Sequence, residues 1–267
     1  MIRLLKIEIS KFAGNKTFWI LSGLYVVLIS LFFFGVQAFL DDLAAQANKQ
    51  SPIPLPGISA YSLPDIWHNL TYIAGYFKIF PALIVIILIT NEYAYKTIRQ
   101  NIICGFSRWD FLKSKFLSLA LFSLAATLLV FVIGLILGLI HTDHVSFHDV
   151  FGRMEFLAAY FLEVFAFLMF AFLIGMLAKR SGLAIGLLLL YFYIIEPLAR
   201  FRLPAYIADY FPKKAIGSLI DIPNTTIMRL FGVEFQDYIS LTDTALVAGY
   251  VIVFGALSYW IILKRDL

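Results

Sequence analysis

Cysteine occurs once in the 267 residues, at Cys104, and charged side chains make up only 14% of the chain. The lone cysteine excludes an internal disulfide and leaves the redox compartment open. Soluble domains carry roughly 25% charged residues, so a chain this poor in charge is a membrane protein. Internal repeats and low-complexity tracts are missing, and so is the period-two alternation of a membrane barrel. The spans must then be helical, because lipid offers no partner to an unpaired backbone. A nucleotide-binding loop is also missing. Such a loop needs G-x-x-x-x-G-K-[ST] to wrap phosphates in successive amides. The nearest approach, "GNKT" at Gly14 to Thr17, has Asn15 where glycine is required and no upstream glycine. With no nucleophile elbow and no zincin pattern either, the chain is not expected to be an enzyme or to hydrolyse ATP itself. Any chemistry has to come from a partner.

What is present is apolar bulk. Hydrophobic residues make up 61% of the chain and phenylalanine alone accounts for 27 positions, and the mean hydropathy is +0.88. This bulk falls in blocks of about 20 residues, enough for a helix to cross a hydrocarbon core. Six spans are read, at about 17–40, 73–91, 116–140, 156–178, 182–199 and 242–263. The first is too long for the apolar region of a signal peptide and no small-residue cleavage site follows it, so it is expected to remain as a span.

Charge orients the six. Segments 1–16, 92–115, 179–181 and 264–267 hold 13 Lys or Arg against four acids, Glu8, Glu92, Asp110 and Asp266. The other side holds eight Lys or Arg and eleven acids. The positive-inside rule then puts both termini in the cytoplasm. The opening "MIRLLKIEISKFAG" places Ile2, Leu5, Ile9 and Phe12 on one helical face and Arg3, Lys6 and Ser10 on another, the pattern of a helix lying in the interface. Between spans five and six, Pro204, Pro212 and Pro223 stop any one helix from crossing, so short helices dipping into the outer leaflet are expected. The fold class is thus an all-α membrane protein of one domain, residues 1–267, with six transmembrane helices. To these are added an N-terminal interfacial helix, a cytoplasmic helix after span two and a re-entrant external segment between spans five and six.

The cytoplasmic segment "NEYAYKTIRQNIICGFSRWDFLKSKF", Asn91 to Phe116, holds Lys96, Arg99, Arg108, Lys113 and Lys115 against Glu92 and Asp110. Gly105 is a helix stop. Ser107 is placed as the next N-cap, with Asp110 three residues on completing a capping pair. Two short helices joined by a sharp bend are expected, presenting Arg99, Arg108 and aromatic residues outward. A plain basic loop touching anionic lipid is the simpler reading.

The order Glu92, Lys96-Thr97-Ile98-Arg99, Ile102-Ile103, Gly105-Phe106-Ser107-Arg108 and Lys115 resembles that of the type 2 ATP-binding-cassette (ABC-2) exporter permeases. Lys96 stands where that family more often has Gly, and Gly105 where it often has Pro. Six spans, the N-terminal interfacial helix and "FPKKAIGSLIDIP" in the last external loop extend the likeness over nearly the whole chain. The resemblance implies that the elbow is a coupling helix seated in a separate ATPase subunit. Glu92, Thr97, Arg99, Gly105, Ser107, Arg108, Asp110 and Lys115 would be its coupling residues. It further implies two ATPase copies that bind ATP and Mg, a second permease chain, identical or related, and no cofactor in this chain. The lipid bilayer surrounds the assembly and no nucleic acid is involved.

Glu163, about seven residues into span four, is an intramembrane carboxylate and so a candidate for the substrate path. A structural hydrogen bond to a neighbouring helix is the other open reading. Glu196, near Arg200 and Arg202, reads as a local ion pair. His141, His144 and His148 gather in an external turn where a metal is conceivable. The expected function is that of a permease subunit exporting an amphipathic or hydrophobic cargo, such as a peptide, antibiotic or lipid, across the bacterial inner membrane. The alternatives kept open are a non-transporting immunity or sensing module, an enzyme using Glu163 or the His141/His144/His148 turn, and an ion-driven transporter.

Overall fold

A computed structural model describes residues 2–50, 61–103, 105–142, 146–223 and 236–264. Among these residues every regular element is helical. Helix α1 (Ile2–Ala13) is followed closely by α2 (Lys16–Gln50). The break between them is made by Asn15, whose Oδ1 accepts from the Thr17 amide at 3.0 Å. The residue that spoils the nucleotide-loop motif is therefore a helix cap.

Helices α3 (Ile66–Phe77) and α4 (Ile79–Ala94) meet at Lys78 with a 40° bend. The sequence marked only 73–91 as a span. Its missing first turns carry His68 and Asn69, which lower the local hydropathy and hide the helix start. After α4 come α5 (Thr97–Ile103) and α6 (Arg108–His141), then α7 (Phe147–Phe151) and α8 (Glu155–Ala178). Helix α9 (Ser181–Leu190) passes through a π-helical turn, Tyr191–Ile195, into α10 (Glu196–Arg202). Two short helices, α11 (Ala205–Ala208) and α12 (Pro212–Gly217), precede α13 (Leu241–Lys264). Five helical stretches are long and apolar enough to cross a membrane, or six if the bent α3–α4 pair counts as one.

Helix α8 is the hub, packed on α3, α4, α6, α9 and α13. Its stretch is 72% buried, against 33% or less in the other four. Lipid tails are as apolar as leucine, so helix association here depends on close packing at small residues. Gly175 lets α8 lie directly on α4, since a Cβ there would sit 2.5 Å from Ile89 Cγ2. Gly134 admits the Trp67 ring in the same way, at 2.6 Å, where α6 meets α3. The hydroxyls of Ser114, Ser118, Ser123 and Thr127 along α6 donate back to carbonyls three or four residues earlier, so none is left unpaired in an apolar layer.

The bundle has two chemically different ends. At one, Lys11 of α1 reaches Glu92 of α4 and Arg108 of α6 reaches the last turn of α13. The Lys179 ammonium, in the α8–α9 turn, lies 5.8 Å from the Tyr93 ring centre at this same end. At the other end, the Leu63 amide donates to Thr142 Oγ1 at 3.0 Å, Trp67 Nε1 donates to the Val150 carbonyl at 2.9 Å, and His68 Nε2 lies 2.8 Å from the Asp221 carbonyl. The described parts of the four segments counted together by charge thus lie at one end.

Candidate functional site

The elbow after α4 is built by three local backbone devices. Lys96 takes a left-handed φ of 55°, breaking the helix, and Thr97 Oγ1 donates to the Glu92 carbonyl at 3.3 Å. Gly105 takes φ 94°, a conformation that suits glycine. Ser107 then caps α6: its hydroxyl accepts from the Asp110 amide at 3.0 Å and donates to Asp110 Oδ2 at 2.6 Å. The expected stop at Gly105 and cap at Ser107–Asp110 are both present. One feature differs. The second arm is no separate short helix but the first turns of α6, which runs unbroken to His141. With no Gly or Pro between Arg108 and Phe116, nothing ends the helix at the membrane surface.

The named residues of the elbow divide into inward and outward groups. Glu92 and Lys115 are buried, and with Glu8 and Lys11 of α1 they form a four-charge cluster. Lys115 Nζ lies 2.5 Å from Glu8 Oε2 and 2.5 Å from Glu92 Oε1, and Lys11 Nζ lies 2.9 Å from Glu8 Oε1 and 2.9 Å from Glu92 Oε1. Burial pushes the Glu8 carboxyl up, but the Lys115 and Lys11 ammoniums beside it prevail and hold it below its ordinary value. Burial likewise pushes Lys11 down, and the Glu92 and Glu8 carboxylates outweigh it, so Lys11 is raised. The cluster bolts α1 to the ends of α4 and α6. Arg108, expected to point outward, instead donates through Nη1 to the Ile262 and Leu263 carbonyls at 3.1 and 2.5 Å. It satisfies carbonyls left over at the C-terminal turn of α13. Arg99, Tyr95 and Ile103 are exposed on α5 and its flank, and Trp109 is exposed at the start of α6.

A second site lies in the opposite half of the bundle. Lys78, at the α3–α4 bend, donates to Glu163 Oε1 of α8 at 2.5 Å, and both residues are buried. Gly75 makes room for the carboxylate, whose Oε1 lies 3.0 Å from where a Cβ would stand. The structural bond expected of Glu163 is present, to Lys78 at the bend of the neighbouring helix pair, and the carboxylate also lines a cavity of about 270 Å³. Phe167, Phe192, Arg200, Lys213 and Lys214 complete much of that wall.

Glu196 corrects the sequence reading. It is fully buried and does not pair with Arg200 or Arg202. Its two oxygens accept from the Lys213 and Lys214 amides at 2.9 and 2.8 Å, at the start of α12. Arg200 instead approaches Asp209 at 3.9 Å, beyond hydrogen-bond reach. Lys213 Nζ donates to the Phe192 carbonyl, presented by the π turn, at 2.8 Å. These bonds fold α11 and α12 back along α10 to the level of Phe192, ten residues before Arg202 and roughly 15 Å along the helix.

The far end also carries a cluster that sequence reasoning missed. Arg153 pairs with Asp65 at 2.6 Å and with Asp237, and Asp237 Oδ1 lies 3.3 Å from His68 Nδ1. Burial pushes the Asp237 carboxyl up, but the Arg153 guanidinium and His68 outweigh that and lower it. The members of this cluster, Asp65 with His68, Arg153 and Asp237, come from three segments far apart in the sequence, so no local pattern marks it. His141 Nδ1 lies 2.8 Å from the Leu137 carbonyl and His148 is exposed on α7, while His144 lies outside the described residues. Among the described residues no three His, Cys, Asp or Glu side chains are grouped to hold a metal.

The bundle defines the class: a multi-pass α-helical membrane protein with a charge-bolted elbow at one end and a charged cavity toward the other. The chain belongs to the family described as "Protein of unknown function (DUF2705)", whose sequence model matches residues 23–267. It is also similar to "Uncharacterized protein YhcI" of Bacillus subtilis (strain 168), with 26% identity over 253 residues that cover 85% of this chain and 74% of the relative.

Proposed function

We propose that this chain is the permease subunit of an ATP-driven exporter of the ABC-2 kind, crossing the inner membrane six times with the bent α3–α4 pair as its second span. The observation that carries the reading is the elbow. Helix α5 stands between two left-handed residues, Lys96 and Gly105, and the helices on either side of it, α4 and α6, are tied to α1 by the Glu8–Lys11–Glu92–Lys115 cluster, with Arg108 tying α6 to the last turn of α13. Arg99, Tyr95 and Ile103 are nevertheless exposed there, a basic and apolar surface on a stiff mount. Such a handle transmits a rigid-body push, and the chain has no nucleotide loop to generate one.

In this reading the basic end is cytoplasmic, by the positive-inside rule. Two ATPase subunits bind ATP and Mg and grip α5 on each of two permease chains, identical or related. Their closure displaces α4 and α6 together. At its other end α4 begins at the Lys78 bend, so the displacement reaches the Lys78–Glu163 pair and the cavity. The folded-back α11 and α12 serve as the re-entrant external segment, and the cargo is an amphipathic molecule entering from the membrane.

The experiment is purification of the tagged chain from its own membranes, followed by assay of ATP hydrolysis in the preparation. An ATPase subunit bearing a Walker motif should accompany the chain, and Arg99→Glu should release it while leaving the chain monodisperse. A chain that purifies without an ATPase, or one whose ATPase association is unchanged by Arg99→Glu, removes the coupling assignment. A chain that never purifies with an ATPase would favour a sensing module instead.

A further inference from the structure

The cavity walled by α3, α8, α10 and α12 has an unusual charge arrangement. Lys78 and Glu163 neutralise each other at 2.5 Å. The remaining charged side chains of its wall are Arg200, Lys213 and Lys214, all cationic. Two nearby acids are engaged with backbone amides: Glu196 accepts from the Lys213 and Lys214 amides, and Asp221 Oδ1 accepts from the Ile222 amide at 2.9 Å, while Asp209 makes a long ion pair with Arg200 at 3.9 Å. Arg200 Nε is buried without a hydrogen-bond partner, a costly state for a charged donor. Lys213 is lowered from its ordinary value, first by burial, with Arg200 and Lys78 adding to the effect and Glu196 opposing it. Among the described residues, Arg200 thus has only a long ion pair and Lys213 only the partial compensation of Glu196.

Aromatic rings lie beside these cations. Phe167 and Phe192 are buried, Lys213 Nζ sits 5.5 Å from the Phe192 ring centre and 5.6 Å from that of Tyr193, and Tyr76 and Tyr193 each line the cavity while lying mostly exposed on the outer surface of the bundle. The mouth thus opens between α3 and the π turn, sideways from the bundle. A ligand that satisfies both the cations and the rings at the mouth has an oxyanion at one end and an apolar body at the other.

We infer that this cavity binds the oxyanion headgroup, phosphate in type, of an anionic amphiphile, with Arg200 and Lys213 as its ligands and the tail leaving past Tyr76 and Tyr193. Arg200 supplies a planar fork of donors suited to phosphate, and Lys213 a point charge beside it. The inference names a cargo class for the exporter reading but does not rest on it, because binding belongs to this chain alone and needs no ATPase.

The test uses the full chain in zwitterionic phosphatidylcholine nanodiscs, titrated calorimetrically with dodecyl phosphate, dodecyl maltoside and inorganic phosphate. Dodecyl phosphate should bind at least tenfold more tightly than either of the others. Arg200→Gln and Lys213→Gln should each weaken it about tenfold, whereas Lys16→Gln, an exposed cation far from the cavity, should leave it unchanged. Lys214→Gln serves as a further variant should either of the first two fail to remain monodisperse. Equal affinity for dodecyl phosphate and the maltoside, inorganic phosphate binding as tightly as the amphiphile, or full retention in both cavity variants would overturn the assignment. None of these outcomes bears on whether an ATPase accompanies the chain, so the two readings fail separately.

Discussion

Lys78 Nζ donates to Glu163 Oε1 across 2.5 Å, which joins the bend between α3 and α4 to the interior of α8. The two residues are 85 positions apart and both are buried. A charge in a membrane interior is tolerated where it is paired, and removing one partner leaves the other uncompensated.

Glu163→Gln and Lys78→Met are each expected to destabilise the protein by about 3–5 kcal/mol, while the double variant Lys78→Met with Glu163→Leu recovers most of that loss. Thermal unfolding in detergent, read as a double-mutant cycle, checks this. Additive losses would mean that the pair is not coupled.

The bolt between α1 and the elbow is sensitive to pH in a defined direction. Glu8 is held below its ordinary value of 4.5 when docked. A lowered carboxyl contributes stability above its undocked value and loses it as pH falls through the docked one. Lys11, raised above 10.5, contributes fully below that value and loses its share as pH climbs through the higher docked one. Protection factors of the α1 amides, which divide out the intrinsic pH dependence of exchange, should therefore stay high from about pH 5 to 10 and fall on either side. Glu8→Gln should remove the acid limb.

Helix α8 lies on α4 because Gly175 has no side chain. Gly175→Leu should cost about 1–3 kcal/mol by overpacking against Ile89. Adding Ile89→Ala should recover part of it, as measured by thermal stability. If Gly175→Leu is tolerated alone, the close approach of the two helices is wrong.

Lys96 holds φ 55°, where a side chain costs roughly 1–2 kcal/mol. Lys96→Gly should accordingly stabilise the elbow by about 1 kcal/mol, and Lys96→Val should destabilise it, with chemical denaturation as the readout.

The features legible in the sequence were those made by neighbours in the chain. Gly105, Ser107 and Asp110 lie within six residues of each other, and their chemistry of stop and cap reads directly. Five apolar helical stretches followed from apolar length, while His68 and Asn69 concealed the start of α3 in the bent pair. The contacts that were missed are distant or involve the backbone. Lys115 meets Glu8 across 107 positions and Arg108 meets the Ile262 carbonyl across 154. A carbonyl has no residue type to betray it, which is why Arg108 read as an outward charge. Glu196 misled for the same reason: its partners are the amides of Lys213 and Lys214, whereas the nearest cations in sequence were Arg200 and Arg202. Lys78, a lone cation within the apolar run "YFKIFP", was a local signal that the sequence reading passed over.

The central claim is that α5 receives force from an ATPase on the basic face of the membrane. Photocrosslinking from a probe placed at Arg99 in intact membranes tests it most directly. The account predicts a single dominant adduct to a Walker-motif ATPase subunit, lost when the probe is moved to Phe147 at the other end of the bundle. An adduct absent at position 99, or labelling of that position by a membrane-impermeant reagent added from outside, would contradict it.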